Sequence, residues 1–264
     1  MRRQIAALLL GALLIVAGAI YVVVKGLPLL LSGVVRLVPL SLEDKLGEAI
    51  AAGIAKQDSL CEEPETRALM AAIVERLSAA SPPSPYRFDV RVVRNPQVNA
   101  MAAPSGHIVV FSGLIDRMDN PEQVAAVLAH EMQHVIQRHS MKGIVRALGI
   151  QTFLSLVLGD AGILGDLAGN LGSLHFVRGD EESADDGALE TLLRAGIAPE
   201  QMILAFENLA KSVGDDGVGG SFKYLSTHPP LDERIASVRR LGAGRAVVSR
   251  PIGVPMARPC SAAH

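Results

Sequence analysis

The sequence predicts an α+β fold that is mainly α, with a small β-sheet beside a central helix and an apolar helix at the amino terminus. Three observations predict it. Behind Asn120, a capping residue, and Pro121, suited to a first helical position, Val124, Val127, Leu128, Val135 and Ile136 form an apolar stripe at helical spacing. Residues 87–93 alternate Phe88, Val90 and Val92 with polar neighbours, and residues 106–111 are rich in β-formers, so a sheet precedes that helix. Residues 5–24 contain no charge.

In chain order, residues 1–26 read as a transmembrane anchor, because twenty residues at about 1.5 Å each span a hydrocarbon core of roughly 30 Å. Arg2 and Arg3 precede the stretch and only Lys25 follows closely, which places the amino terminus in the cytoplasm and the remainder outside. A signal peptide cleaved near Ala17-Gly18-Ala19 is the competing reading. Residues 27–40 are apolar but interrupted by Pro28, Gly33, Arg36 and Pro39, so they suit an interfacial segment; a second crossing there would reverse the topology. Residues 41–241 form one domain and residues 242–264 a tail without a clear element.

Within the domain, residues 41–55 and 62–77 are amphipathic helices, and Ser81-Pro82-Pro83-Ser84-Pro85 breaks the pattern before the sheet. After the central helix, residues 144–174 are apolar and Gly-rich but contain Asp160 and Asp166, which argues against a membrane span. That stretch is either packed helix or a cover over a cleft. Helices to about residue 194, over 199–213 and over 231–239 complete the domain, with a flexible linker at 214–220. A net charge of -2 and the lack of a basic tract exclude nucleic acid as a primary partner. Cys61 and Cys260 form no C-x-x-C pair; a disulfide closing most of the domain and two separate thiols are both open.

The chemistry is concentrated in His130-Glu131-Met132-Gln133-His134. Histidines at i and i+4 on a helix share a face and can reach one ion, and Glu131 beside them suits a general base for a water whose pKa zinc brings down to about 7. A catalytic zinc takes three protein ligands and keeps an open position. His139, five residues past His134, falls about 140° around a continuous helix and is expected to be solvated. Gln137 and Ser140 stand where the continuation H-E-x-x-H-x-x-G-x-x-H would need Gly and His. The third ligand is therefore sought in Asp180-Glu181-Glu182-Ser183-Ala184-Asp185-Asp186. Glu181 with Asp185 and Glu182 with Asp186 have the same spacing, and an acidic first turn favoured by the helix dipole also explains the cluster. His107, in a predicted strand, reads as a surface residue.

Four ordered segments make the chain resemble the membrane-associated zinc metallopeptidases that include HtpX-like proteases and CAAX prenyl endopeptidases: the His-Glu-x-x-His helix, Arg178 to Asp185 as an R-x-x-E-x-x-A-D pattern, Thr227-His228-Pro229-Pro230 with Glu233-Arg234-Ile235, and the segment from Val98 to Leu114. The likeness covers residues 42–241 and implies a zincin-type metallopeptidase domain. By its register, His130, His134 and Glu181 hold one Zn(2+) per chain, Glu131 is the base, Asp185 orients a ligand histidine, and Arg178 supports the carboxylates. His228 then either donates to the oxyanion or fills the fourth zinc position without substrate, and Tyr224 is a weaker oxyanion candidate. An edge strand through Asn99, Ala100 and Met101 would pair with extended substrate.

The resemblance implies a zinc-dependent metalloendopeptidase acting on proteins or peptides, including misfolded membrane or envelope proteins. It would be held in the cell (inner) membrane by one helix, with the catalytic domain on the periplasmic or extracytoplasmic side. The rival is a chaperone-like or binding protein whose zinc site is closed and cleaves little. Prenyl-peptide processing fits less well, because one span makes no multi-helix chamber.

Overall fold

The computed structural model describes residues 26–157, 176–215, 228, 231–245, 247–258 and 260, with isolated positions before residue 26. Three helices come first: α1 (Leu27–Arg36), α2 (Leu40–Gln57) and α3 (Pro64–Ala80). Strands β1 (Asp89–Val93), β2 (Ala100–Ala102) and β3 (His107–Phe111) follow, then α4 (Ser112–Asp116), α5 (Pro121–Ile136), α6 (His139–Leu148) and α7 (Ile150–Val157). The remaining helices are α8 (Arg178–Arg194), α9 (Pro199–Asp215) and α10 (Leu231–Gly242). Mainly helical architecture with one small sheet is as the sequence predicts.

The sheet has the order β1-β3-β2, with β1 parallel to β3 in the register Val90 to Ile108, and β2 antiparallel in the register Met101 to Val109. The three-residue β2 is thus an edge of the sheet, and its Ala102 carbonyl accepts from Ser140 Oγ.

Helix α5 owes its start to local chemistry. The Asn120 side chain accepts from the Gln123 backbone N–H at 2.9 Å and Pro121 occupies the first turn, a cap worth about 1 kcal/mol. Every residue from Gln123 to Val135 is buried, so α5 is the axis of the domain. It ends where Arg138 takes a left-handed conformation, φ 57°, and α6 sets off in a new direction at His139.

Close approach of α5 to α8 depends on Gly187, where an added Cβ would lie 2.4 Å from Gln133 Oε1. Gln133 Nε2 donates to Thr191 Oγ1 at 3.2 Å and Gln137 Nε2 to the Ser183 carbonyl at 2.8 Å, so buried polar groups along this seam are paired.

The largest core unites Leu69 and Ile73 of α3, Ile108 and Val110 of β3, Leu128 of α5, Leu192 of α8, Phe206 of α9 and Val238 of α10. A second core joins Leu31 and Val35 of α1 and Leu46 and Ile50 of α2 to Met141, Ile144 and Val145 of α6 and Phe153 of α7. One face of α1 therefore lies in the domain, while Leu30, Leu37 and Leu40 face outward.

Residues 247–258 form no regular element but are pinned along their length. The Arg250 backbone N–H donates to the Gly196 carbonyl, Arg76 donates to the carbonyls of Ala195 and Pro251, and the Ile252 N–H donates to Glu122 Oε1. Cys260 is disulfide-bonded to Cys61, with Cα atoms 5.5 Å apart. The pairing left open by sequence is resolved by this docked tail.

Most of residues 5–24 lie outside the described residues. Among those described, no helix is long and apolar enough to cross a membrane. Most of the stretch after α7, including Asp160 and Asp166, also falls outside them, as do residues 216–220, Tyr224, Thr227, Pro229 and Pro230.

Candidate metal centre

Two crossing helices supply the core of the site. On α5, His130, Glu131 and His134 are fully buried; on α8, Glu181 and Asp185 are buried while Glu182 and Asp186 are exposed. Ala184, Ala188 and Leu192, fully buried on the same face of α8, turn Glu181 and Asp185 inward, a choice that spacing alone left open. The buried His228 comes from the connection ahead of α10.

His130, His134, Glu181 and His228 offer ligand atoms that all lie within 4.8 Å of one another, and these four residues could hold a metal ion. His130 Nε2 lies 2.9 Å from His134 Nε2 and 3.4 Å from His228 Nδ1. Glu181 Oε1 lies 3.3 Å from His134 Nε2 and 2.8 Å from His228 Nδ1. A tetrahedral zinc with bonds of about 2.0–2.1 Å has ligand atoms about 3.3–3.4 Å apart, so the set fits zinc in size and donor type. Both oxygens of Glu131 are buried with no hydrogen-bond partner among the described residues, and Oε1 lies 3.7 Å from His228 Nε2.

A buried guanidinium organises the carboxylates. Arg234 of α10 donates to Asp185 through Nε and Nη2, both at 2.7 Å, places Nη1 3.0 Å from Glu181 Oε2, and stacks over Phe206. Asp185 Oδ1 lies 2.9 Å from His130 Nδ1. Burial works to raise the Asp185 pKa, but the charge and hydrogen bonds of Arg234 outweigh it and hold the carboxyl below its usual range. Burial likewise opposes ionisation of Glu181, yet His228 and His134 together hold it far below the ordinary carboxylate range. His134 is pushed well down by burial and by neighbouring His130, which favours the neutral ring a metal ligand must present. Phe176 stacks on His134 with ring centroids 3.9 Å apart.

Arg178, at the first position of α8, has a side chain 67% exposed with Nη1 3.3 Å from Glu233, and it lines a cavity shared with Glu181 and Asp185. One expectation is corrected. His139 is not solvated but 1% exposed, because the left-handed Arg138 breaks the helix and turns His139 back toward His134. Burial pushes the His139 pKa down to about 4.

Of the other predicted residues, Asn99 is buried just before β2, Ala100 and Met101 lie in β2, and His107 is partly buried against Asp44 of α2. Sequence reasoning did not assign Arg234, Phe176 or His139 to the centre. Arg234 stands in the third quoted motif, Phe176 lies two residues ahead of the second, and His139 follows the first, so proximity to motifs was the only available signal.

Residues 63–241 match the profile of peptidase family M48. A β-barrel assembly-enhancing protease of Yersinia pestis is 34% identical over 178 residues, covering 61% of this chain and 35% of that protein. The mitochondrial metalloendopeptidase OMA1 of Arabidopsis thaliana is 37% identical over 151 residues, or 56% of this chain and 30% of that protein. Metalloprotease LoiP of Escherichia coli (strain K12) is 32% identical over 201 residues, or 69% and 77%. The chain thus spans about a third of the first two relatives and about three quarters of the third.

Proposed function

The chain belongs to peptidase family M48, and on that premise we propose that it is a zinc-dependent metalloendopeptidase. The observation that carries the reading is the buried set His130, His134, Glu181 and His228 beside the Glu131 carboxylate, which has no hydrogen-bond partner among the described residues. His130, His134 and Glu181 would hold one zinc per chain, which when bound acts as a Lewis acid on the substrate carbonyl and makes water acidic enough to attack near neutral pH. Glu131 takes a proton from the attacking water and passes it to the leaving amine nitrogen. Asp185 fixes the His130 ring, and Arg234 keeps Asp185 ionised while pairing with Glu181 beside it. Extended substrate would pair with the outer edge of β2 around Ala100 and Met101, beside α5.

His228 makes the set four-sided, the closed form associated with structural zinc. This favours a second reading in which the site is gated: His228 occupies the fourth position at rest and withdraws when substrate arrives. A chaperone-like protein with permanent closure is the extreme of that reading.

One relative is named for enhancing β-barrel assembly, and the uncharged residues 5–24 suit an anchor, so the substrates are misfolded membrane or envelope proteins met on the outer side of the inner membrane. The test compares casein cleavage and zinc content of the full chain and of Glu131→Gln. Cleavage should fall by at least about 10²-fold with zinc retained. Equal cleavage by both proteins rejects Glu131 as the base, and a wild-type chain that binds no zinc rejects the centre. If the wild type holds zinc but cleaves nothing, release of activity in His228→Ala identifies the gate.

A further inference from the structure

The two α5 histidines of the centre are supported in different ways. His130 has a carboxylate on its outer nitrogen, Asp185, the arrangement that usually fixes the tautomer of a metal-binding imidazole. Among the described residues no carboxylate stands at that position for His134. Its Nδ1 lies 3.1 Å from Nδ1 of His139, inside the protein.

The direction of each hydrogen bond follows from what lies beyond His139. Nε2 of His139 lies 3.4 Å from Ser183 Oγ and 3.6 Å from Asp180 Oδ1. Ser183 Oγ already donates to the Asp180 carbonyl at 3.1 Å, so toward His139 it accepts. Asp180 is held by Arg146 Nη2, 2.6 Å from Oδ2, and accepts as a carboxylate. The proton of a neutral His139 therefore sits on Nε2, facing two acceptors. Its Nδ1 is left as an acceptor, and the group facing it is His134 Nδ1. That puts the His134 proton on Nδ1 and the lone pair on Nε2, the atom that faces Glu181 and His130.

We propose that His139 is a positioning residue: a buried acceptor that fixes the tautomer and tilt of His134, backed by Ser183 and Asp180. The proposal rests on the metal-centre reading above and adds to it a support carried by α6. The neighbouring residues place the same turn firmly. Arg138 donates to the carbonyl of Val38 and pairs with Glu43, while Ser140 Oγ donates to the Ala102 carbonyl of β2 at 2.6 Å. One three-residue turn thus ties a metal-binding imidazole to the strand proposed to take substrate.

The test is zinc affinity of the full chain, read by competition with a chromogenic chelator and needing no proteolysis. His139→Leu removes the acceptor at similar volume and should weaken zinc binding about 10–100-fold. His139→Asn puts an amide oxygen near the position of Nδ1 and should restore affinity to within a few-fold of wild type. Unchanged affinity in His139→Leu, or an Asn variant as weak as the Leu variant, overturns the proposal; a wild type that binds no zinc overturns the centre instead. Should the Leu variant fail to fold, two-bond ¹⁵N–¹H correlation of the zinc-loaded wild type decides: a proton on Nε2 of His139 and on Nδ1 of His134 is expected, and a proton on Nδ1 of His139 rejects it.

Discussion

Two buried acidic clusters in this chain are each held by an arginine from a distant part of the sequence, and they behave as opposites. Around Asp185 and Glu181 the arginine, Arg234, is itself buried and neutralises two carboxylates one helical turn apart. In the amino-terminal layer, Glu43 of α2 is met by Arg138, whose side chain is 18% exposed, and by the Tyr86 hydroxyl. The first cluster gathers like charges that would otherwise repel and sits inside the metal centre. The second joins α2 to the break between α5 and α6 and has water within reach. Proximity to chemistry, rather than burial alone, separates an arrangement that is costly to fold from one that fastens two layers.

The largest expected effect comes from breaking the first cluster. Arg234→Leu leaves Asp185 and Glu181 facing each other in the core, and the metal-free protein should lose about 3–5 kcal/mol in urea unfolding. A loss below about 1 kcal/mol would mean that water already relieves the pair, and the contrast would vanish. Glu43→Gln should cost less, about 1–3 kcal/mol, because the amide still accepts from Arg138 and Tyr86. Zinc affinity should stay at the wild-type value in that variant; a fall of tenfold would show that the second cluster reaches the metal centre after all.

The smallest effect is confined to alkaline pH. Burial, with the Glu43 charge adding to it, pushes the Tyr86 hydroxyl up to about 12. The unfolded chain gives up this proton near pH 10, whereas the folded chain keeps it to about 12, so stability is lost as pH rises from 10 toward 12. Absorbance titration should find one of the three tyrosines ionising late, and Tyr86→Phe should remove that step. Persistence of the late step in the variant would assign it elsewhere.

What could be read from sequence was what depends on neighbours along the chain. Asn120 and Pro121 announce α5, and His130, Glu131 and His134 share its inner face by period alone. The inward face of the acidic turn could not be read that way, since Glu181 and Glu182 each have an aspartate four residues on; burial of Ala184, Ala188 and Leu192 beside Glu181 decides it. His139 was misread because a left-handed arginine carries no warning of the kind glycine gives, so a continuous helix was assumed. Arg234 lies 49 residues beyond Asp185, and no local pattern announces a pair formed only in the folded chain.

The bond between Cys61 and Cys260 has a practical corollary for anyone who handles this protein. All of His130, His134, Glu181 and His228 lie within the ring it closes, whose two cysteines are separated by 199 in sequence number. A single nick anywhere in that ring, by the protein itself or by a contaminating protease, leaves two pieces still joined. On a gel run without reductant the damaged protein would migrate as one band, so self-processing is visible only after reduction.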